Sequence, residues 1–193
     1  MRQDAPFENE LTALILASPI VLPILQAARA VDLPDWYVGA GLLRNMVWDH
    51  LHDYEMPTPL NDVDVAFFDP HDLRRERDAE ANAALTAVNP QFEWEATNQA
   101  AVHTWHEAYF GYSVDPYRST EDGVAGWPET ATAVAVRLLP NDSLKIFAPC
   151  GLSDLFELKL RRNKRKVTLE EFRQRYHKKE INKKWPRVTF IDG

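Results

Sequence analysis

The sequence contains a single cysteine, Cys150, and no long apolar run. One cysteine excludes a fold held together by internal disulfides and fits a reducing compartment. No segment approaches the roughly 18 consecutive apolar residues that a membrane-spanning helix needs, and the acidic first ten residues lack the charged-then-apolar pattern of a secretory signal. These absences predict a cytoplasmic protein that folds around an ordinary hydrophobic core.

Basic residues are scarce in most of the chain and are concentrated near its end. Residues 1–160 hold 10 Lys/Arg against 25 Asp/Glu, whereas residues 161–193 hold 12 against 4. Hydrophobic residues make up 45% of the 193, which is enough for one compact domain. We therefore predict a body domain over residues 1–160 and a basic helical extension over residues 161–193.

The hydrophobic pattern switches repeatedly between the helical period and the strand period, which predicts an α/β fold. Asp69 and Pro70 look like the N-cap and first residue of a helix that ends near residue 88. Thr168 and Glu171 have the spacing of a capping box at the start of a basic helix. The other predicted elements are helices at 11–17, 20–31, 42–52 and 98–110, strands at 36–38, 63–67 and 92–96, and a hairpin formed by 130–138 and 144–147.

Two aspartates stand one residue apart in the strand at residues 63–67. Val63, Val65 and Phe67 alternate with polar positions, and Asp62 and Asp64 therefore point to one face of the strand. Two ionised carboxylates so close together repel each other unless a cation neutralises them. Oxygen ligands favour Mg²⁺ or Mn²⁺, and Mg²⁺ usually adds substrate phosphates and waters to one or two protein carboxylates. The pair thus predicts a metal site that a nucleoside triphosphate completes.

A glycine turn opens the helix that precedes this strand. Gly39, Ala40 and Gly41 allow backbone N–H groups to approach a phosphate, and the N-terminus of a helix favours negative charge. Arg44 lies one turn further on and is predicted to bind the same phosphates. Neither motif is specific alone, but their order (strand, glycine turn, helix, paired aspartates on a strand) is selective.

This combination resembles the signature of the DNA polymerase β-type nucleotidyltransferase superfamily, with matching residues Gly39, Gly41, Asp62 and Asp64. The turn is also similar to the segment in tRNA nucleotidyltransferases and poly(A) polymerases whose arginine faces the phosphates, which places Arg44 at that position. The chain most resembles a small bacterial nucleotidyltransferase-like family. That resemblance covers nearly the whole chain and rests on Gly39-Ala-Gly, Arg44-Asn45, Trp48-Asp49, Asp62-Val-Asp64, Asn98-Gln99-Ala100 and WPETATAV from Trp127.

The resemblance implies a polymerase β-like fold, with a mixed central sheet flanked by helices, and metal-dependent nucleotidyl transfer. In that mechanism Asp62 and Asp64 hold two cations, an acceptor hydroxyl attacks the α-phosphorus of an NTP, and pyrophosphate leaves. A third carboxylate is expected on the next strand. Glu95 is the first choice for it, and Glu93, two residues away on the same strand face, is the second.

Structural explanations compete with several of these assignments. Asp62 and Asp64 also suit the solvent face of an edge strand, and alternation on a half-exposed strand explains Glu93 and Glu95. Arg44 has Asp49 as an alternative partner on its own helix.

The substrate and partners are open from the sequence. Aromatic residues from Trp94 to Tyr117 suit base stacking, although such a pattern is more often core. The basic tail, from Arg161 to Arg187, suits a nucleic-acid or acidic partner, although a solvated helix face is the default. Ala40, which replaces the serine of the usual turn, also leaves open a catalytically silent nucleotide-binding or RNA-binding module.

Overall fold

The computed structural model describes residues 4–164 and 167–191. The helices are α1 (Ala5–Ala17), α2 (Val21–Val31), α3 (Gly41–Leu51), α4 (Glu76–Val88), α5 (Val102–Phe110), α6 (Thr120–Val124), α7 (Ser153–Phe156), α8 (Leu169–Lys178) and α9 (Ile181–Lys184). The strands are β1 (Tyr37–Gly39), β2 (Val63–Phe67), β3 (Trp94–Asn98), β4 (Ala135–Leu138), β5 (Leu144–Phe147), β6 (Lys159–Arg161) and β7 (Thr189–Ile191).

The central sheet is mixed and has five strands in the order β3-β2-β1-β4-β5. Strands β2 and β3 run parallel, because helix α4 crosses between them, whereas β1 pairs antiparallel with both β2 and β4. Strands β4 and β5 form the predicted hairpin. The predicted mixed sheet flanked by helices is therefore confirmed.

The two faces of the sheet are covered differently. Val63, Val65 and Phe67 of β2 belong to the main core, which also contains the buried residues of α1 to α4. The opposite face has a smaller cluster that joins Ala66 of β2 to Val124 of α6. Because side chains alternate along a strand, Asp64 lies on this second face. The first face carries the main core, whereas the second face carries the polar side chain of Asp64.

The helix predicted to start at Pro70 begins six residues later, at Glu76. The buried side chain of Asn98 holds the intervening loop: its Nδ2 donates to the carbonyl oxygens of Asp69 and Asp72, and its Oδ1 accepts from the N–H of Asp69. The Asp69 carboxylate binds the Arg77 guanidinium at 2.9 Å. The prediction was wrong because these long-range bonds outweigh the local cap.

The strand predicted at 130–138 also begins later, at Ala135. Thr130 and Thr132 are held elsewhere, since their hydroxyls bond the Asp154 and Glu129 carboxylates. Likewise β3 begins at Trp94 rather than Phe92.

The basic tail packs against the rest of the chain. The capping box of Thr168 and Glu171 at the start of α8 is confirmed. Phe172, Ile181 and Trp185 are buried in the main core, and β7 pairs with β6. Arg165 and Lys166 of the predicted tail lie outside the described residues.

Helix length and composition were also compared with those of a membrane span. Within residues 4–164 and 167–191, no single helix is long and apolar enough; α1 and α2 meet those criteria only when joined, with a bend of 85° between them.

Candidate active site

Three carboxylates meet on the second face of the sheet. Asp64 and Glu95 are direct partners in the register of the parallel strands β2 and β3. Asp62 immediately precedes β2, and its carboxylate is near enough for its charge to act on both Asp64 and Glu95. Strand β2 lies inside the sheet, so the alternative that Asp62 and Asp64 belong to an edge strand is wrong.

The charges of the three acids act on one another. Burial, together with the charges of Asp62 and Glu95, raises the pKa of Asp64 to about 6. Burial and the charge of Asp62 also raise the pKa of Glu95. A cluster of carboxylates that oppose one another's ionisation is relieved when a cation binds between them. The donor set therefore fits a hard divalent cation such as Mg²⁺ or Mn²⁺.

The cluster is not a closed metal cage. Among the residues that the structure describes, no group of three or more His, Cys, Asp and Glu side chains is arranged to hold a metal ion by itself. Mg²⁺ commonly takes only one or two protein carboxylates and completes its octahedron with waters and substrate phosphates. Such a site has an open side facing its substrate.

Glu93, the second choice for the third acid, lies just before β3. Its backbone carbonyl accepts the N–H of Val63 and aligns the two parallel strands. Glu95, by contrast, stands opposite Asp64. The structure thus brings Glu95 into the cluster with Asp62 and Asp64.

The glycine turn joins β1 to α3 beside Asp64. Gly39 must be glycine because a Cβ there would collide with the carbonyl oxygen of Val134 and lie 2.9 Å from the Cα of Ala135. Ala40 has φ 53° and ψ −122°, a conformation that L-residues rarely adopt. Strained backbone of this kind is concentrated at functional sites, and here it directs the start of α3 toward the carboxylates.

One N–H group of this turn already has a hydrogen-bond partner, and a second faces the Asp64 carboxylate. The N–H of Ala40 donates to the carbonyl of Val134 at 3.1 Å. The N–H of Gly41 faces the Asp64 carboxylate and favours its ionised form, partly offsetting the effect of burial on its pKa. The turn therefore offers fewer unpaired backbone donors than its sequence predicts.

Arg44 is buried, with 4% of its surface exposed. Its guanidinium lies over the rings of Trp48 and Trp185, 5.4 and 5.5 Å from their centroids, and Nη2 donates to Asn45. Its Nε is a buried donor with no hydrogen-bond partner among the described residues. Burial lowers the pKa of the guanidinium. Arg44 is thus a cation that the fold keeps largely out of water.

The alternative partner of Arg44, Asp49, is bound elsewhere. Its carboxylate accepts the N–H and hydroxyl of Thr58 and the indole N–H of Trp185, at 2.6 to 2.7 Å. These bonds tie α3 to the loop before β2 and to the tail, and so Asp49 has a structural role.

Three residues that sequence reasoning did not select complete the charge pattern around Arg44. Glu129 is buried, and its carboxylate binds the Nε of Arg175 at 3.0 Å and the hydroxyl of Thr132 at 2.6 Å. Burial opposes the ionisation of Glu129, but the charges of Arg175 and Lys179 outweigh it and lower its pKa. Lys179 ends α8. Arg175 and Lys179 both belong to the basic run that suggested an external partner. The sequence therefore showed that these positive charges exist but not that they lie beside Glu129.

A pocket of about 420 Å³ opens beside the carboxylates. Asp64 and Glu95 are among the residues that line it, as are Arg175 and Lys178 of α8. Aromatic residues form much of the remaining wall, namely Trp105, Phe110, Tyr112, Tyr117 and Trp127. Of the aromatics considered for base stacking, Trp94 is core, whereas Trp105, Tyr112 and Tyr117 line the pocket.

Comparison with known proteins decides the family. A family model described as nucleotidyltransferase matches residues 26–190. The chain belongs to this nucleotidyltransferase family. The family resemblance is therefore confirmed, and the match extends through the tail.

Solved structures of this nucleotidyltransferase fold agree. An NMR structure described as revealing a CCA-adding enzyme head domain is 27% identical, with a TM-score of 0.75 and 96% coverage of both chains. The Thermotoga maritima CCA-adding enzyme complexed with tRNA is 11% identical with a TM-score of 0.55, and the match covers 95% of this chain and 42% of that one. The second likeness concerns the fold alone. No curated protein sequence matches significantly.

Proposed function

We propose that this nucleotidyltransferase moves a nucleoside monophosphate from an NTP to an acceptor hydroxyl and depends on Mg²⁺ or Mn²⁺. The observation that carries the proposal is the pairing of Asp64 with Glu95 on adjacent parallel strands, with Asp62 beside them. Neighbouring carboxylates, two of which line a pocket, are an arrangement that suits phosphoryl chemistry with divalent cations. Membership in the family supports the same reaction.

Each residue of the site has a role in this proposal. Asp62 and Asp64 would hold the cations, which neutralise triphosphate charge and lower the pKa of the attacking hydroxyl. Glu95 stands beside them and accepts the proton of the acceptor hydroxyl. The acceptor oxygen forms a bond to the α-phosphorus as the bond from that phosphorus to the leaving oxygen breaks, which releases pyrophosphate.

The glycine turn and Arg44 would face the phosphates. Gly41 begins α3, whose N-terminus favours an anion, and Arg44 is one turn further on. Gly39 and Ala40 would shape the turn, since Gly39 packs against the start of β4 and the Ala40 N–H donates to the carbonyl oxygen of Val134, just before β4. The aromatic pocket beside Asp64 suits the planar base of a nucleotide or of an acceptor.

The experiment is transfer of α-³²P-labelled NTPs with Mg²⁺ or Mn²⁺ to pools of RNA, protein and small molecules. The wild type should label one pool and release pyrophosphate. Asp64→Asn should lower the rate by about 10³-fold or more, because loss of a charge-stabilising group in a preorganised site has effects of that size. Asp53→Asn, whose side chain is 91% exposed, is the matched control and should retain the wild-type rate.

The same assay distinguishes an active enzyme from a catalytically silent nucleotide-binding module. Full activity of Asp64→Asn would contradict the assigned carboxylates. If the wild type releases no pyrophosphate with any pool while ATP still raises its melting temperature, the protein is a nucleotide-binding module of this fold instead.

A further inference from the structure

We propose that the end of α8 is part of the candidate active site, where Arg175 and Lys179 bind the polyphosphate of the nucleotide together with Arg44. The basic tail would then serve the protein's own substrate rather than an external nucleic acid. The identity of the anion rests on the proposed nucleotidyl transfer, whereas the existence of an anion site rests on the cluster itself.

The first argument is position. The Glu129 carboxylate fixes Arg175 at 3.0 Å, and this bond links the body to α8 across 46 residues of sequence. Lys179 follows one turn later and is half-buried. It is close enough to Arg44, Asp64 and Glu95 for its charge to affect each of them or be affected by them. Arg175 also lines the same pocket as Asp64 and Glu95, so the end of α8 borders the space beside the carboxylates.

The second argument is charge balance. Arg44, Arg175 and Lys179 bring three positive charges together, and Glu129 is the buried acid that faces all three. Asp64 also attracts Arg44 and Lys179, but in the proposed reaction its charge is taken by a divalent cation. Glu129, together with Asp49 near Arg44, then offsets only part of the three positive charges, and uncompensated charge in a partly buried site is costly. A bound anion removes that cost.

The third argument is unsatisfied hydrogen-bonding capacity. The Arg44 Nε is a buried donor without a partner, and within residues 4–164 and 167–191 the Lys179 ammonium makes no hydrogen bond or ion pair within 4 Å. The backbone donor at Ala40 is already engaged, and the Gly41 N–H faces the Asp64 carboxylate. Phosphate binding must therefore depend on side-chain cations more than the glycine turn suggests.

A structural role for the cluster explains only part of it. Holding Glu129 needs one cation, and Arg175 supplies it with a direct bond. Arg44 and Lys179 add charge that repels Arg175 and each other. A polyphosphate, with several charges along a short chain, supplies the negative charge that the cluster lacks, and guanidinium and ammonium groups are its usual ligands.

The test is calorimetric titration of the full chain with inorganic tripolyphosphate, with and without Mg²⁺. Wild type should bind, and more tightly with Mg²⁺. Lys179→Met should weaken binding by about tenfold or more, the size expected for losing one charged hydrogen bond. Lys179→Arg should restore most of the affinity. Lys183→Met removes the same charge four residues away, from a side chain that is 72% exposed, and should change affinity less than about twofold.

Three results would overturn the inference: no binding by wild type, unchanged affinity in Lys179→Met, or equal losses in the Lys179 and Lys183 variants. Melting temperatures establish that each variant is folded. Transfer assays on the same variants distinguish failure of the anion site from failure of the proposed function. Lys179-dependent binding without any transfer refutes the reaction but retains the anion site, whereas transfer with an unchanged KM for NTP in Lys179→Met refutes the anion site alone.

Discussion

Glu129 shows how one buried acid depends on cations from distant parts of the chain. Its pKa is lowered in the folded protein because Arg175 and Lys179 overcome the effect of burial. A carboxylate whose folded pKa is depressed stabilises the fold above its unfolded pKa and loses that contribution as pH falls through its folded pKa. Glu129 therefore links acid stability to the position of α8.

We predict that Glu129→Gln lowers the free energy of unfolding by about 3 kcal/mol at pH 7, because removing one partner leaves buried cations uncompensated. The difference from wild type should begin to shrink below about pH 4, where the carboxyl takes up a proton in the unfolded chain, and should shrink further as pH falls through the lower pKa of the folded state. Urea unfolding at pH 7 and pH 3.5 measures both values. A deficit that is equal at the two pH values would show that the charge of Glu129 is not responsible.

Asn98 acts at the scale of elements, because it ends β3 and organises the loop that leads to α4. Its side chain bonds backbone groups of Asp69, Asp72 and Ala100 and is fully buried. The local sequence predicts a helix cap at Asp69. It cannot predict the bond to Asn98, because Asn98 is 29 positions away. The loop depends on the packed sheet for its conformation.

We predict that Asn98→Ala destabilises the protein by about 3 kcal/mol or more, since it leaves several buried backbone groups unpaired. Asn98→Asp keeps the acceptor and loses the donor, and it should also be destabilising. Asn89→Ala is a suitable control, because Asn89 caps α4 through its backbone and its side chain bonds only an exposed N–H among the described residues. Chemical denaturation compares the three; equal stability of Asn98→Ala and wild type would contradict the assignment.

At the scale of the whole molecule, the central pattern was predictable and the closing contacts were not. Alternation of Val63, Val65 and Phe67 predicts which face carries Asp64, and the same alternation in the next strand places both Glu93 and Glu95 on one face. Both predictions use only the two-residue alternation of side chains within a single strand. The bond from Glu129 to Arg175 joins segments 46 residues apart, and no periodicity in either segment encodes it. The composition of the tail predicted its charge but not its partner.

The boundary at residue 160 remains a prediction, and we expect folding to depend on both sides of it. Phe172, Ile181 and Trp185 are buried in the main core, and burial of each stabilises the fold by about 1.5–3 kcal/mol. Their sum is comparable with a typical total stability of about 5–15 kcal/mol. A chain of residues 1–160 should therefore lose its cooperative thermal transition, as measured by calorimetry. A wild-type-like transition in that fragment would establish it as an independent domain.

The bond between Trp185 and Asp49 also has a consequence for biosynthesis. Asp49 leaves the ribosome well before the indole N–H that it binds, and a translating chain folds from its N-terminal side first. Until the segment beyond residue 168 emerges, the apolar surface that α8 and Trp185 cover is open to solvent. We expect chaperones that recognise exposed apolar surface to bind the nascent chain at this stage. The cations of α8 arrive in the same step that closes the core, so the newly made protein acquires its full charge pattern only when it is also stably folded.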